Sequence, residues 1–172
     1  CYNGNRFSED LDFYFPKNKA SIEKVFDSLK ERGFEIKKKK ISETSVYSEL
    51  AYNRASVRLE ATFQNIKGEI IDYEKVNGNF VSLYGLGPEE LLNEKVNTYL
   101  KRHKIRDLYD VYFLLKKVTD FKKINNNIKK LINDETVPYD TSNLKTIILE
   151  GIVPTFTELK KYIKKKWENP NI

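Results

Sequence analysis

From Pro88 onward the hydrophobic pattern of this chain of 172 residues is helical throughout, and nothing else restricts the fold as much. Before Pro88, apolar residues mostly alternate with polar ones, as in a strand whose successive side chains point to opposite faces. In SVRLEATF (56–63), Val57, Leu59, Ala61 and Phe63 alternate against Arg58, Glu60 and Thr62. One early segment differs: SIEKVFDSLKERGF (21–34) carries Ile22, Val25, Phe26 and Leu29 as a helical stripe, with Ser21 placed to cap it and Gly33 to stop it. Strands are expected over 7–15, 34–41, 45–52 and 56–63, with one or two more from 68–76 and 80–85. From PEELLNEKVNTYLKR (88–102) the repeat is helical, and Pro88, Glu89 and Glu90 suit a helix N-terminus. Further helices are expected near 107–118, 121–132, 142–149 and 155–168, with an exposed loop at 133–143. The pattern predicts an α+β fold. A small mixed sheet occupies residues 1–86 and a helical region residues 87–172.

Bulk properties narrow the class. Aromatic residues make up 13% of the chain and hydrophobic residues 40%, enough for a folded core. The longest apolar run, VYFLL (111–115), is far short of the roughly 20 residues that span a bilayer, so no membrane partner is expected. One cysteine, Cys1, and one histidine exclude an intrachain disulfide and a Cys/His zinc site. The expected compartment is the cytoplasm. A net charge of +6 suits an anionic partner such as nucleotide or RNA without requiring one.

The stretch RFSEDLDFYF (6–15) places Leu11, Phe13 and Phe15 on one face and Ser8, Asp10, Asp12 and Tyr14 on the other. Two aspartates one pleat repeat apart, roughly 7 Å, repel each other. A divalent cation would reverse that term, and Mg²⁺ takes carboxylate and phosphate oxygens together. Glu60 on a nearby strand could supply a third oxygen. The competing reading is a set of solvated charges that keep an edge strand from aggregating, with Glu60 paired to Arg58 or a lysine.

In the helical half, Lys95 lies beside Leu92 and Val96 on the apolar stripe of its helix, where a lysine either snorkels or reaches an anion. In HKIRDLYDVYFLL (103–115), Asp107 is placed to cap a helix. Asp110 shares a side with Phe113 and Leu114 and so needs a cation, with Arg106, Lys95 or a metal as candidates. The lysine runs KKKK (37–40) and KKYIKKKW (160–167) could meet RNA phosphates or be solvated faces. His103 has no evident acid–base partner and reads as incidental.

Two stretches together resemble the nucleotidyltransferase family of abortive-infection toxins, the AbiEii/AbiGii type. RFSEDLDFYF is similar to that family's R-[FY]-S-x-D-[IL]-D-[FL] signature. LLNEKVNTYLKRHKIRDLYDVYFLL is similar to its later E-K-[LV]…R…K-x-R-D-[LI]-Y-D signature. The resemblance covers about residues 5 to 118. It implies a polymerase-β-like core in which Asp10 and Asp12, with Glu60, hold Mg²⁺ that binds the phosphates of an NTP. It implies catalytic roles for Asp10, Asp12, Lys95 and Asp110, and nucleotide contacts from Arg6, Ser8, Lys95, Arg106 and Asp107. It also implies an RNA (tRNA) or protein acceptor and a cognate antitoxin. That fold carries a Gly-Ser or Gly-Gly-Thr motif ahead of the paired aspartates, and CYNGNRFSE has none. The core is therefore expected to be N-terminally incomplete. Either the chain belongs to a longer protein, which the absence of methionine suits, or it is a truncated relative that binds RNA or protein without catalysis.

Overall fold

A computed structural model describes residues 4–8, 10–16, 19–75 and 77–170, apart from the side chains of residues 19–21. The chain divides into two compact units. One is Ser8–Lys67; the other joins the residues up to Phe7 to those from Gly68 onward.

The first unit is a four-stranded sheet with one helix. Its elements are β1 (Asp10–Phe15), α1 (Lys19–Glu31), β2 (Glu35–Ile41), β3 (Ser45–Tyr52) and β4 (Ala55–Phe63). The order across the sheet is β1-β4-β3-β2. β1 runs parallel to β4, and the other pairs are antiparallel. Alternation explains the layering: Val46, Leu50, Leu59, Ala61 and Phe63 are buried together with Ile22 and Phe26 of α1. Each such side chain contributes about 1.5–3 kcal/mol on leaving water. Asn53, at φ +54°, makes the two-residue turn between β3 and β4, a conformation that asparagine tolerates. The cap expected from Ser21 lies outside the described side chains.

The second unit holds the hairpin β5 (Glu69–Glu74) and β6 (Phe80–Gly85), then α2 (Pro88–Arg102), α3 (Ile105–Leu114), α4 (Phe121–Asn133), α5 (Leu144–Ile147) and α6 (Phe156–Glu168). The hairpin forms its own two-stranded sheet rather than extending the larger one. The helical core gathers Leu92, Val96 and Tyr99 of α2, Leu108 and Val111 of α3, Ile124 and Ile128 of α4, and Leu159 and Ile163 of α6. Buried Glu89 ties α2 to the start of α4 by accepting from the Thr119 and Asp120 amides, both at 2.9 Å, and from the Thr119 hydroxyl. Lys160 closes the other end of α4 by donating to the carbonyls of Leu131, Ile132 and Asp134.

Two expectations change at residues 5–7 and 142–149. The first strand begins at Asp10, not at residue 7, because the backbone ahead of it pairs elsewhere. The Phe7 amide donates to the Ile147 carbonyl at 2.7 Å, and the Leu149 amide to the Asn5 carbonyl at 2.8 Å. That pairing, with a bridge between Arg6 and Ile148, also ends α5 after four residues where a longer helix was expected. Among the described residues, no helix is long and apolar enough to cross a membrane.

Candidate active site

The sheet unit places Asp10, Asp12, Arg58 and Glu60 on one face, because parallel in-register neighbours point the same way. Asp10 pairs with Arg58 and Asp12 with Glu60 across β1 and β4. Arg58 Nε lies 2.6 Å from Asp10 Oδ1. That oxygen is shielded from solvent yet has no aligned hydrogen bond. Arg58 thus contacts Asp10. Asp12 is exposed on the strand, and Ser8 lies exposed just before it. Further along the same face, Tyr47 donates to Glu49 at 2.5 Å. That bond holds the phenol's pKa up and the carboxyl's down.

Asp10, Asp12 and Glu60 are hard oxygen donors suited to Mg²⁺. The shielded oxygen of Asp10 makes no aligned hydrogen bond, and Arg58 meets its charge at 2.6 Å. The donor set therefore fits a divalent cation in kind. Among the described residues, however, no three His, Cys, Asp or Glu side chains gather closely enough to hold a metal.

The helical unit holds a second cluster, centred on Asp110 of α3. Its carboxylate takes both arms of the Arg6 guanidinium, Nε to Oδ1 at 2.5 Å and Nη2 to Oδ2 at 2.7 Å. Lys95 Nζ of α2 is 3.1 Å from the same Oδ2. Of the two candidate side chains, Lys95 rather than Arg106 is engaged, and Arg6 is a partner that sequence reasoning missed. Asn5 joins the cluster by accepting from the Tyr109 hydroxyl at 2.5 Å. Lys95 keeps about a quarter of its side chain exposed, at 26%, so it is tethered without being sealed in.

Asp107 does not cap α3. The cap position is Lys104, whose own side chain makes no capping bond, and the Asp140 carboxylate accepts from the Ile105 amide at 2.8 Å. Asp107 instead lies buried, gripped by Arg102 at 2.7 and 2.8 Å. Arg106, its neighbour in sequence, makes no ion pair among the described residues and is partly exposed. His103 is not incidental: it ends α2 at φ +47° and its Nε2 is 2.7 Å from Asp134 Oδ2. Burial alone would push the Asp134 carboxyl up, but hydrogen bonds from Thr136 and His103 leave it below the usual range. Nothing in one sequence flags that pair, because its members are 31 residues apart.

The family comparison places the chain in the class of nucleotidyltransferases. Residues 1–147 match the family of nucleotidyl transferase AbiEii toxins of type IV toxin–antitoxin systems, and the chain belongs to that family. No curated protein matches it.

Proposed function

We propose that this chain is a Mg²⁺-dependent nucleotidyltransferase, the toxin of a toxin–antitoxin pair, which moves a nucleotide from an NTP to an RNA or protein acceptor. The family match supports the reaction class and implies an antitoxin partner. The observation that carries the site assignment is the placement of Asp10 and Asp12 on one face of β1, with Glu60 in register beside Asp12. Those three carboxylates would hold the metal, which when bound supplies charge neutralisation to the triphosphate. In the helical unit, Asp110 holds Lys95 at 3.1 Å and Arg6 in a two-point grip. Lys95 then offers a compact, partly exposed point charge suited to phosphate. We assign catalytic roles to Asp10, Asp12, Lys95 and Asp110. Arg6, Ser8 and Arg106 are assigned to the nucleotide as donors, and buried Asp107 supports that region through Arg102.

The test is transfer of label from α-phosphate-labelled NTPs to total RNA or protein, with Mg²⁺ present and with a chelator. Asp10→Ala, Asp12→Ala and Lys95→Met should each reduce transfer to background. Transfer that persists in both aspartate variants would sink the metal assignment.

A further inference from the structure

The chain's positive charge is concentrated on two helices. α4 has four lysines and no carboxylate, and α6 has five lysines and two glutamates. Nine lysines against two glutamates give these helices +7 within a chain whose total is +6, so all other residues together carry −1. Of the two glutamates, Glu158 is engaged in the capping box with Thr155.

The other lysine run is largely neutralised where it stands. In KKKK, Lys37 pairs with Glu35 at 2.6 Å, Lys38 with Glu49 at 3.6 Å and Lys39 with Glu23 at 2.5 Å. On α4 and α6, by contrast, Lys122, Lys130, Lys161, Lys164 and Lys165 are exposed and make no ion pair among the described residues.

The two helices form one surface. Lys160, early in α6, bonds carbonyls at the end of α4, while Trp167, late in α6, donates from Nε1 to Asn125 near the start of α4 at 3.1 Å. They therefore run antiparallel. Lys129 of α4 lies over the Trp167 ring at 5.8 Å, and Lys166 of α6 over Phe121 at 5.9 Å.

The residues of α4 also run against what helix stability favours. Lys122 sits in the first turn, where the macrodipole opposes a cation, and Asn125, Asn126 and Asn127 occupy the helix interior, where asparagine is a poor helix former. Asn125 and Asn127 are engaged by Trp167 and Asn93, which leaves exposed Asn126 and the lysines as donors of the kind that contact nucleic-acid phosphates. The exposed positions of α4 contain no apolar side chain to enter a lipid surface.

We infer that the antiparallel pair α4–α6 is a docking face for the phosphate backbone of RNA, with Trp167 and its overlying Lys129 at the seam. The contact is electrostatic and independent of base sequence, and it needs neither nucleotide nor metal. Half of the face, α6, lies beyond the residues matched to the family, which end at 147.

The test is binding of a short fluorescein-labelled mixed-sequence RNA in the presence of chelator and without NTP, from about 50 to about 200 mM salt. It is run in an Asp12→Ala background, so that its result stands apart from that of the transfer reaction. Affinity should fall steeply with salt. The combined variant Lys122→Gln/Lys130→Gln/Lys161→Gln/Lys164→Gln should lower the slope of log K against log salt by about 3, at about 0.7 per phosphate contact on single strands. Trp167 is the only tryptophan, so its fluorescence reports on this seam alone and should change on RNA addition in the parent protein. An unchanged slope in the variant, or RNA binding that leaves Trp167 fluorescence unmoved, would overturn the inference. So would binding to phosphatidylserine vesicles without binding to RNA.

Discussion

Removing the guanidinium of Arg6 tests the link between the two signature stretches, whose contact residues are 104 positions apart in sequence. Arg6 grips Asp110 with two charge-assisted hydrogen bonds of 2.5 and 2.7 Å. The side chains are 16% and 11% exposed. Solvent-exposed pairs contribute about 0.2–1 kcal/mol, whereas breaking a buried pair costs about 3–5 kcal/mol. A two-point grip at this intermediate exposure should couple by about 2 kcal/mol. A double-mutant cycle of Arg6→Met and Asp110→Asn isolates that coupling, because loss of the Arg6 contact with the Phe7 carbonyl appears in both arms and cancels. Backbone pairing of residues 5–7 with 147–149 stays in place, so the segment remains seated in each variant. Urea unfolding followed by Trp167 fluorescence reads the unit that contains the pair. The matching cycle with Lys95→Met should couple by less than about 1 kcal/mol, since Lys95 offers one contact and is more exposed. A coupling below about 0.5 kcal/mol for Arg6 and Asp110 would mean the two act independently and would refute the reasoning.

The remaining predictions concern pH. Burial holds the Tyr99 phenol well above its usual pKa of 10, with Asp134 adding to the effect, and burial likewise raises Tyr109 and Tyr162. Folded-state values above unfolded ones mean stability that is intact below about pH 10 and is lost as pH rises beyond it. Tyr99→Phe should make the chain less sensitive to alkaline unfolding, and an unchanged pH dependence would contradict this. Burial by itself would raise the Glu89 carboxyl, but hydrogen bonds from Asp120 and Thr119 outweigh it and leave the pKa lowered. Its contribution is therefore present above about pH 4.5 and fades as pH falls. Glu89→Gln should cost about 1 kcal/mol at neutral pH and remove part of that acid sensitivity, as read by urea midpoints at about pH 7 and pH 4.

Elements governed by local pattern were legible in the sequence. The alternation in 56–63 and the stripe from Leu92 to Tyr99 each meet one core, so period alone locates β4 and α2. The hairpin was harder: Ile70 and Ile71, or Phe80 and Val81, put apolar side chains on both faces, and alternation cannot say which sheet such strands join. The helix expected over 142–149 failed for a nonlocal reason, since residues 147–149 give their backbone groups to residues 5–7. The same limit hid the partner of Asp110. Burial on α3 demanded a cation, but only the fold brings Arg6 to it. Asp107 shows the converse: a residue type suited to capping was placed by its ion pair with Arg102, inside the protein.

The most direct test of the central claim is calorimetric titration of each NTP into the chain with Mg²⁺ and with chelator, repeated with Asp12→Ala. Asp12 is exposed, so its loss should leave folding intact. Binding that needs both Mg²⁺ and Asp12 is the predicted result. NTP binding that is equal with chelator, or equal in Asp12→Ala, would contradict the assignment of Asp10 and Asp12 to a metal–nucleotide site.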